Sequence, residues 1–178
     1  MNKLPNHTAL KEWSNVIEAL GRGEQAILIR KGGIADPKFG VEADQFYLYP
    51  TFYHQPAPGP EPQEVTISHW CEVVRLWRIR DEGAPLRLSP FVVLPQEAVE
   101  TRYRFRPDQA LHVIAVRTFF LLQPVRIAVK TDYVGCRSWV SLDEEIDVEG
   151  SWPVLGEREL QARIDAIEAV IRQATAFA

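Results

Sequence analysis

Apolar residues at Trp13, Val16, Ile17 and Leu20, with Ala9 one turn earlier, recur at helical spacing and predict a first helix. Asn6 or Thr8 is placed to accept the free N–H groups at its start, and Gly21 to end it in a left-handed conformation. The pattern then turns to strands. Residues 25–30 form a short apolar run between glycines, and in 46–51 aromatics favour a strand. Residues 64–80 are β-rich and too long for one regular strand, so they predict a bend or bulge. Residues 111–122 form the strongest strand signal, closed by Pro124, with 125–130 as its partner. Residues 138–142 predict another short strand, and 95–101 one or two helical turns with Pro95 at the first helical position. At 157–177, Leu160, Ile164, Ile167, Ile171 and Ala174 make the stripe of a closing amphipathic helix.

Strands that do not alternate with helices argue against a doubly wound parallel sheet. The expected fold is α+β: a strongly bent mixed sheet or small β-barrel with helices at the chain ends. The proline-rich stretch 56–62 predicts a stiff extended loop, because prolines donate no hydrogen bonds. It marks no domain boundary, since the piece before it is too small to bury a core, and residues 1–178 read as one domain.

Net charge is −4, which alone disfavours a nucleic-acid partner, but the charge is unevenly spread. Residues 1–74 carry −3, residues 75–137 carry +5 and residues 138–178 carry −6. All cations of the middle section except Lys130 are arginines, whose planar forks suit phosphate and stack on bases. The competing reading is that these arginines pair with the acidic flanks. Two widely spaced cysteines, Cys71 and Cys136, and no apolar signal core predict a reducing, cytoplasmic setting. No apolar run is long enough for a membrane helix.

Four clusters carry candidate chemistry. Arg30-Lys31-Gly32-Gly33 offers two cations and a flexible backbone to a phosphate, without the pattern of a P-loop. Thr51, His54 and Gln55 end an aromatic stretch, with side chains suited to reading a base. In the segment from Thr101 to Pro107, an extended backbone would align Arg102, Arg104 and Arg106 as a basic ridge; a helix running on through Arg104 would break it. Arg137, Ser138 and Trp139 follow Gly135-Cys136 in a turn able to face a ligand. The four histidines show no metal-ligand spacing, and no cofactor is implied. A magnesium-dependent nuclease built on Glu18, Asp36, Lys38 and Glu42 is the alternative, and a protein-interaction module with an exposed apolar patch the second.

The combination of Leu10-Lys11-Glu12-Trp13, Arg30-Lys31-Gly32-Gly33-Ile34, Leu48-Tyr49-Pro50-Thr51 with His54-Gln55, and Gly135-Cys136-Arg137-Ser138-Trp139 resembles a bacterial family, a domain of unknown function. More loosely, residues 21–30, 69–77 and Leu121-Leu122-Gln123-Pro124-Val125 are similar to PUA-like ASCH and EVE domains, though their full pocket signatures are absent. That resemblance implies binding of RNA or modified bases in a cleft beside a barrel. The expected partner is therefore RNA, DNA or a nucleotide.

Overall fold

The computed structural model describes residues 3–4, 7–31, 43–52, 62–135 and 137–172. Among them are seven strands and four α-helices: β1 (Thr8–Trp13), α1 (Ser14–Gly21), β2 (Ile27–Arg30), β3 (Gln45–Thr51), β4 (Glu64–Ile79), α2 (Ala84–Leu88), α3 (Gln96–Arg104), β5 (Leu111–Ala128), β6 (Trp139–Ser141), β7 (Trp152–Pro153) and α4 (Glu157–Arg172). The sheet runs β2-β5-β4-β3-β1-β6, with β7 added to β5. β1 and β3 are parallel and the other pairs antiparallel, so the sheet is mixed, as expected for this α+β chain.

The opening of the chain corrects the sequence reading. Residues 8–13 are not the first turns of a helix but a strand, clamped between β3 and β6 and buried on both faces. Helical spacing holds only from Ser14, and extended Trp13 is the N-cap in place of Asn6 or Thr8. The helix end differs too. Gly21 is the last helical residue, and the left-handed conformation falls on Gly23 at φ 68°. Gly21 is needed for space instead, because a Cβ there would sit 2.6 Å from Nε2 of His69.

β4 and β5 form a long ribbon whose pairing breaks twice, between Ile67 and His69 and between Val73 and Arg75. The expectation of a bend or bulge in residues 64–80 is met by these two shifts of register. Pro124 does not close its strand: β5 continues through it to Ala128. The proline falls in the first break, between the pairs His69–Phe120 and Ile67–Val125, where the ladder needs no N–H from it. Pro95 caps α3 from outside rather than starting it.

Alternate residues of β1 and β3 feed two cores. Leu10, Phe46, Leu48 and Cys71 pack with α1 and with Leu160, Ile164 and Ile167 of α4. Ala9, Tyr47, Tyr49 and Trp70 pack with Tyr133, Val140 and Ile146 on the other side. Strands covered on both faces lose the hydrophobic–polar alternation that marks a half-exposed strand. Among the described residues, no helix is long and apolar enough to cross a membrane.

Candidate nucleic-acid interface

At one end of the curled sheet β1 outruns β6. The last antiparallel pair is Leu10–Trp139, and beyond it only Lys11 N–H donates to the Ser138 carbonyl, at 2.8 Å. Side chains take over from there. Arg30 of β2 donates to the Lys11 carbonyl and to Glu12 Oε2, both at 3.2 Å. Arg102 of α3 donates to the Ile29 carbonyl at 2.9 Å and to Glu12 Oε1 at 3.3 Å. Two guanidiniums on one carboxylate therefore tie together β1, β2 and α3, elements that share no backbone ladder here.

The Glu12 side chain is 1% exposed, and those of Arg30 and Arg102 are each 20% exposed. Burial by itself would raise the Glu12 pKa. Arg102, Arg30 and the Trp13 N–H, which donates to Oε1 at 2.9 Å, outweigh it and hold the carboxyl below its usual range. The Arg102 guanidinium also lies over the Trp13 ring, 5.0 Å from its centroid. Around this clamp, Lys11 Nζ donates to the Gly135 carbonyl at 2.7 Å, and Thr51 Oγ1 donates to the Glu12 carbonyl at 3.2 Å. Lys31 donates to the Tyr103 carbonyl and lies over that ring; burial, more than any neighbour, lowers its pKa. Two cations, Arg30 and Arg102, thus stand about one buried carboxylate, while Lys11 and Lys31, next in the chain to Glu12 and Arg30, are each held by a backbone carbonyl.

Arg30, Lys31, Thr51, Arg102, Arg137, Ser138 and Trp139 all come to this end of the sheet. Trp139 is half-buried and meets Phe46 edge-on at 5.1 Å, while Ser138 is buried and Arg137 exposed. Arg104 does not join them. α3 runs helically through it, so the extended ridge of Arg102, Arg104 and Arg106 does not exist. Helical geometry turns Arg102 inward and leaves Arg104, 79% exposed, beside Glu100. Gly32, Gly33, His54 and Gln55 lie outside the described residues, as do Asp36, Lys38 and Glu42 of the nuclease alternative. Glu18, the fourth residue of that set, is exposed and pairs with Arg22 at 3.7 Å. Among the described residues no group of His, Cys, Asp or Glu gathers to hold a metal ion.

The ion-pair reading of the arginines holds for part of the middle section. Arg75 meets Glu168, Arg117 meets Glu157 and Arg126 meets Glu64. The residues missed from sequence are Lys11, Glu12, Trp13 and Tyr103. The first three were hidden by the helical reading of their segment. The signal for them was a Lys-Glu pair inside an otherwise apolar stretch.

The sequence model of one family matches residues 9–166, from β1 into α4. The chain belongs to that family, described as Domain of unknown function (DUF1802). No curated protein matches the sequence. Among solved structures, this DUF1802 chain is similar to the ASCH protein of Zymomonas mobilis. A mutant of that protein shares 12% identity over 91% of this chain and 98% of its own, with a TM-score of 0.49. The ASCH structure without a named mutation shares 11% over 89% and 93%, with a TM-score of 0.48. The family and the ASCH likeness are the two resemblances noted from sequence.

Proposed function

We propose that this DUF1802 chain, as one domain, binds a nucleic acid or nucleotide at the seam where β1, β2 and α3 meet. One observation carries the reading: Arg30 and Arg102, from distant parts of the chain, are oriented by buried Glu12 beside the Trp13 ring. Guanidiniums fixed in this way lose little freedom on meeting a phosphate, and their fork geometry suits its oxygens. Arg102 donates through Nη1 to Ile29 and through Nη2 to Glu12, while a guanidinium carries five N–H donors. Phosphate lies against Arg102, Arg30 and Lys31; a base lies against Trp139, with Thr51, Arg137 and Ser138 around it. Gly32 and Gly33 follow Lys31, and His54 and Gln55 follow Thr51, so they belong to the same proposed footprint. Cys71 is a buried free thiol, which supports a reducing, cytoplasmic setting.

The test is fluorescence anisotropy with labelled single-stranded RNA and DNA of roughly 12 nucleotides, within the footprint range of small binding folds. Affinity is expected to fall steeply between about 50 and 200 mM salt, and Arg102→Gln to weaken it. Absence of binding at the lower salt, or a flat salt response, overturns the reading.

A further inference from the structure

On β5, His112 stands between two arginines. It pairs in register with Arg30 of β2 on one side and Arg78 of β4 on the other. Residues directly opposite on neighbouring strands project from the same face, about 5 Å apart, so the three basic side chains form a row. Arg30 is drawn out of that row towards β1 by Lys11 and Glu12. What remains is exposed Arg78 beside His112, which is 5% exposed. Among the described residues, no carboxylate pairs with either side chain and no hydrogen bond engages either. Arg75 and Arg117, on the same two strands, are each answered by a glutamate. Burial, then the charge of Arg78, lowers the His112 pKa. Arg78, without a counter-charge, thus disfavours a proton on the imidazole beside it, and an anion between the two removes that penalty.

We propose that Arg78 and His112 hold a second phosphate of the strand whose first phosphate lies at Arg102 and Arg30. The proposal rests on the nucleic-acid reading above and narrows it. Arg78 is two strand spacings from Arg30, roughly 10 Å at the backbone, and the Arg30 guanidinium is drawn out of the row towards β1 by Lys11 and Glu12. The two positions therefore suit successive phosphates of a single strand better than a mononucleotide's one. The charged groups set about His112 are Arg78 from β4 and Arg30 from β2, with Glu12 of β1 and Arg102 of α3 behind Arg30. A phosphate at Arg78 offsets the charge that disfavours imidazolium, so binding takes up a proton.

The experiment measures anisotropy of a labelled oligouridylate of about 10 nucleotides, with unlabelled uridine monophosphate as competitor. For Arg78→Gln the expected result is an oligomer affinity lower by several-fold and a salt slope shallower by about 0.7, with mononucleotide competition unchanged. For His112→Asn the expected result is loss of the rise in oligomer affinity as pH falls from about 7.5 to 5.5. If both variants bind the oligomer as the wild type does while Arg102→Gln fails, the second position is overturned and the seam reading stands. Equal losses for oligomer and monophosphate overturn it as well. A wild-type chain that binds nothing at low salt removes the underlying reading first. Arg78 is exposed, so its variant keeps the test decisive should His112→Asn fail to fold.

Discussion

Glu12 and Arg102, 90 residues apart in the chain, meet at 3.3 Å in a place where neither side chain is freely solvated. The pair does two jobs with one set of bonds. It holds the edge of β2 and the end of α3 against β1, and it fixes the guanidinium to which the proposed function assigns a phosphate. The sheet is curled so that β1 and β2, at positions five and one of its order, come side by side, and the seam between them is bridged by side chains.

Removing the charge of Glu12 breaks that bridge. Glu12→Gln keeps the volume but leaves two guanidiniums facing each other, and breaking a buried pair costs about 3 kcal/mol. Urea unfolding at neutral pH is the measurement. The Glu12 carboxyl is held below its ordinary value of 4.5, so its stabilisation is complete above that pH and is lost as pH falls through the lower folded value. The gap between wild type and Glu12→Gln is therefore expected to close in acid, and a gap that stays constant below pH 4.5 would contradict the assignment.

His69 sets a second constraint. Its Nε2 is buried with no partner, facing Gly21 at the end of α1, and Nδ1 lies 2.8 Å from Ser68 Oγ. In an ordinary helix, Gly to Ala gains about 1 kcal/mol. Here Gly21→Ala is expected to lose about 2 kcal/mol, because the added carbon collides with the ring. Thermal unfolding of Gly21→Ala, alone and with His69→Ala, checks this, with recovery expected in the double variant.

The same burial has a pH consequence. It lowers the pKa of His69, and it does the same for His112. The unfolded chain then takes up protons near the ordinary value of 6.5 before the folded chain does. Stability is full above that pH and declines as pH falls below it. Urea midpoints taken from pH 7.5 to about 5.5 should fall, and less so in His69→Asn. A flat profile in the wild type would refute buried, neutral imidazoles.

Most of the elements could be read from local pattern, and the seam could not, for a definite reason. Strands such as β3 and the register shifts of β4 follow from aromatic content and length, which are local. Trp13, Val16, Ile17 and Leu20 also gave the right helix, but the same periodicity reached back into β1, where neighbours on both sides had replaced it. Arg30, Lys31 and Arg102 were visible as arginine and lysine beside glycines or aromatics. Glu12, which orients two of them, was not, because its partners are 18 and 90 residues away. The inward turn of Arg102 and the outward turn of Arg104 depend on where α3 ends, and helix ends are the least certain feature of any sequence pattern.

Cys71 is buried, and burial pushes its thiol up to about 12, with Thr118 Oγ1 at 3.5 Å. The thiolate is the reactive species, so the native thiol should be inert. In a Cys136→Ser chain, labelling by a disulfide reagent at about pH 8 is expected only at the rate of unfolding, and fully in denaturant. Rapid labelling of the native chain would place Cys71 outside the core.

The seam itself is tested most sharply by a substitution that keeps charge and removes shape. Arg102→Lys retains a cation near Glu12, so the buried carboxylate keeps a partner. Lysine's donors, however, radiate from one nitrogen, so they cannot span the Ile29 carbonyl, Glu12 and a ligand as the guanidinium fork does, nor place a planar cation over the Trp13 ring, where Arg102 stands 5.0 Å from the centroid. A site working by net charge alone would bind single-stranded RNA as tightly after the change. A site working by an oriented fork would lose affinity by about tenfold, roughly the lower end of what one charge-assisted hydrogen bond is worth. Trp139→Ala, which removes a stacking surface worth about 1–3 kcal/mol per base, should add its loss to that of Arg102→Lys, because phosphate and base are held by separate side chains. Anisotropy titrations of the two single variants and the double variant measure both effects, and a Trp139→Ala chain that binds unchanged would take the base away from this face of β6.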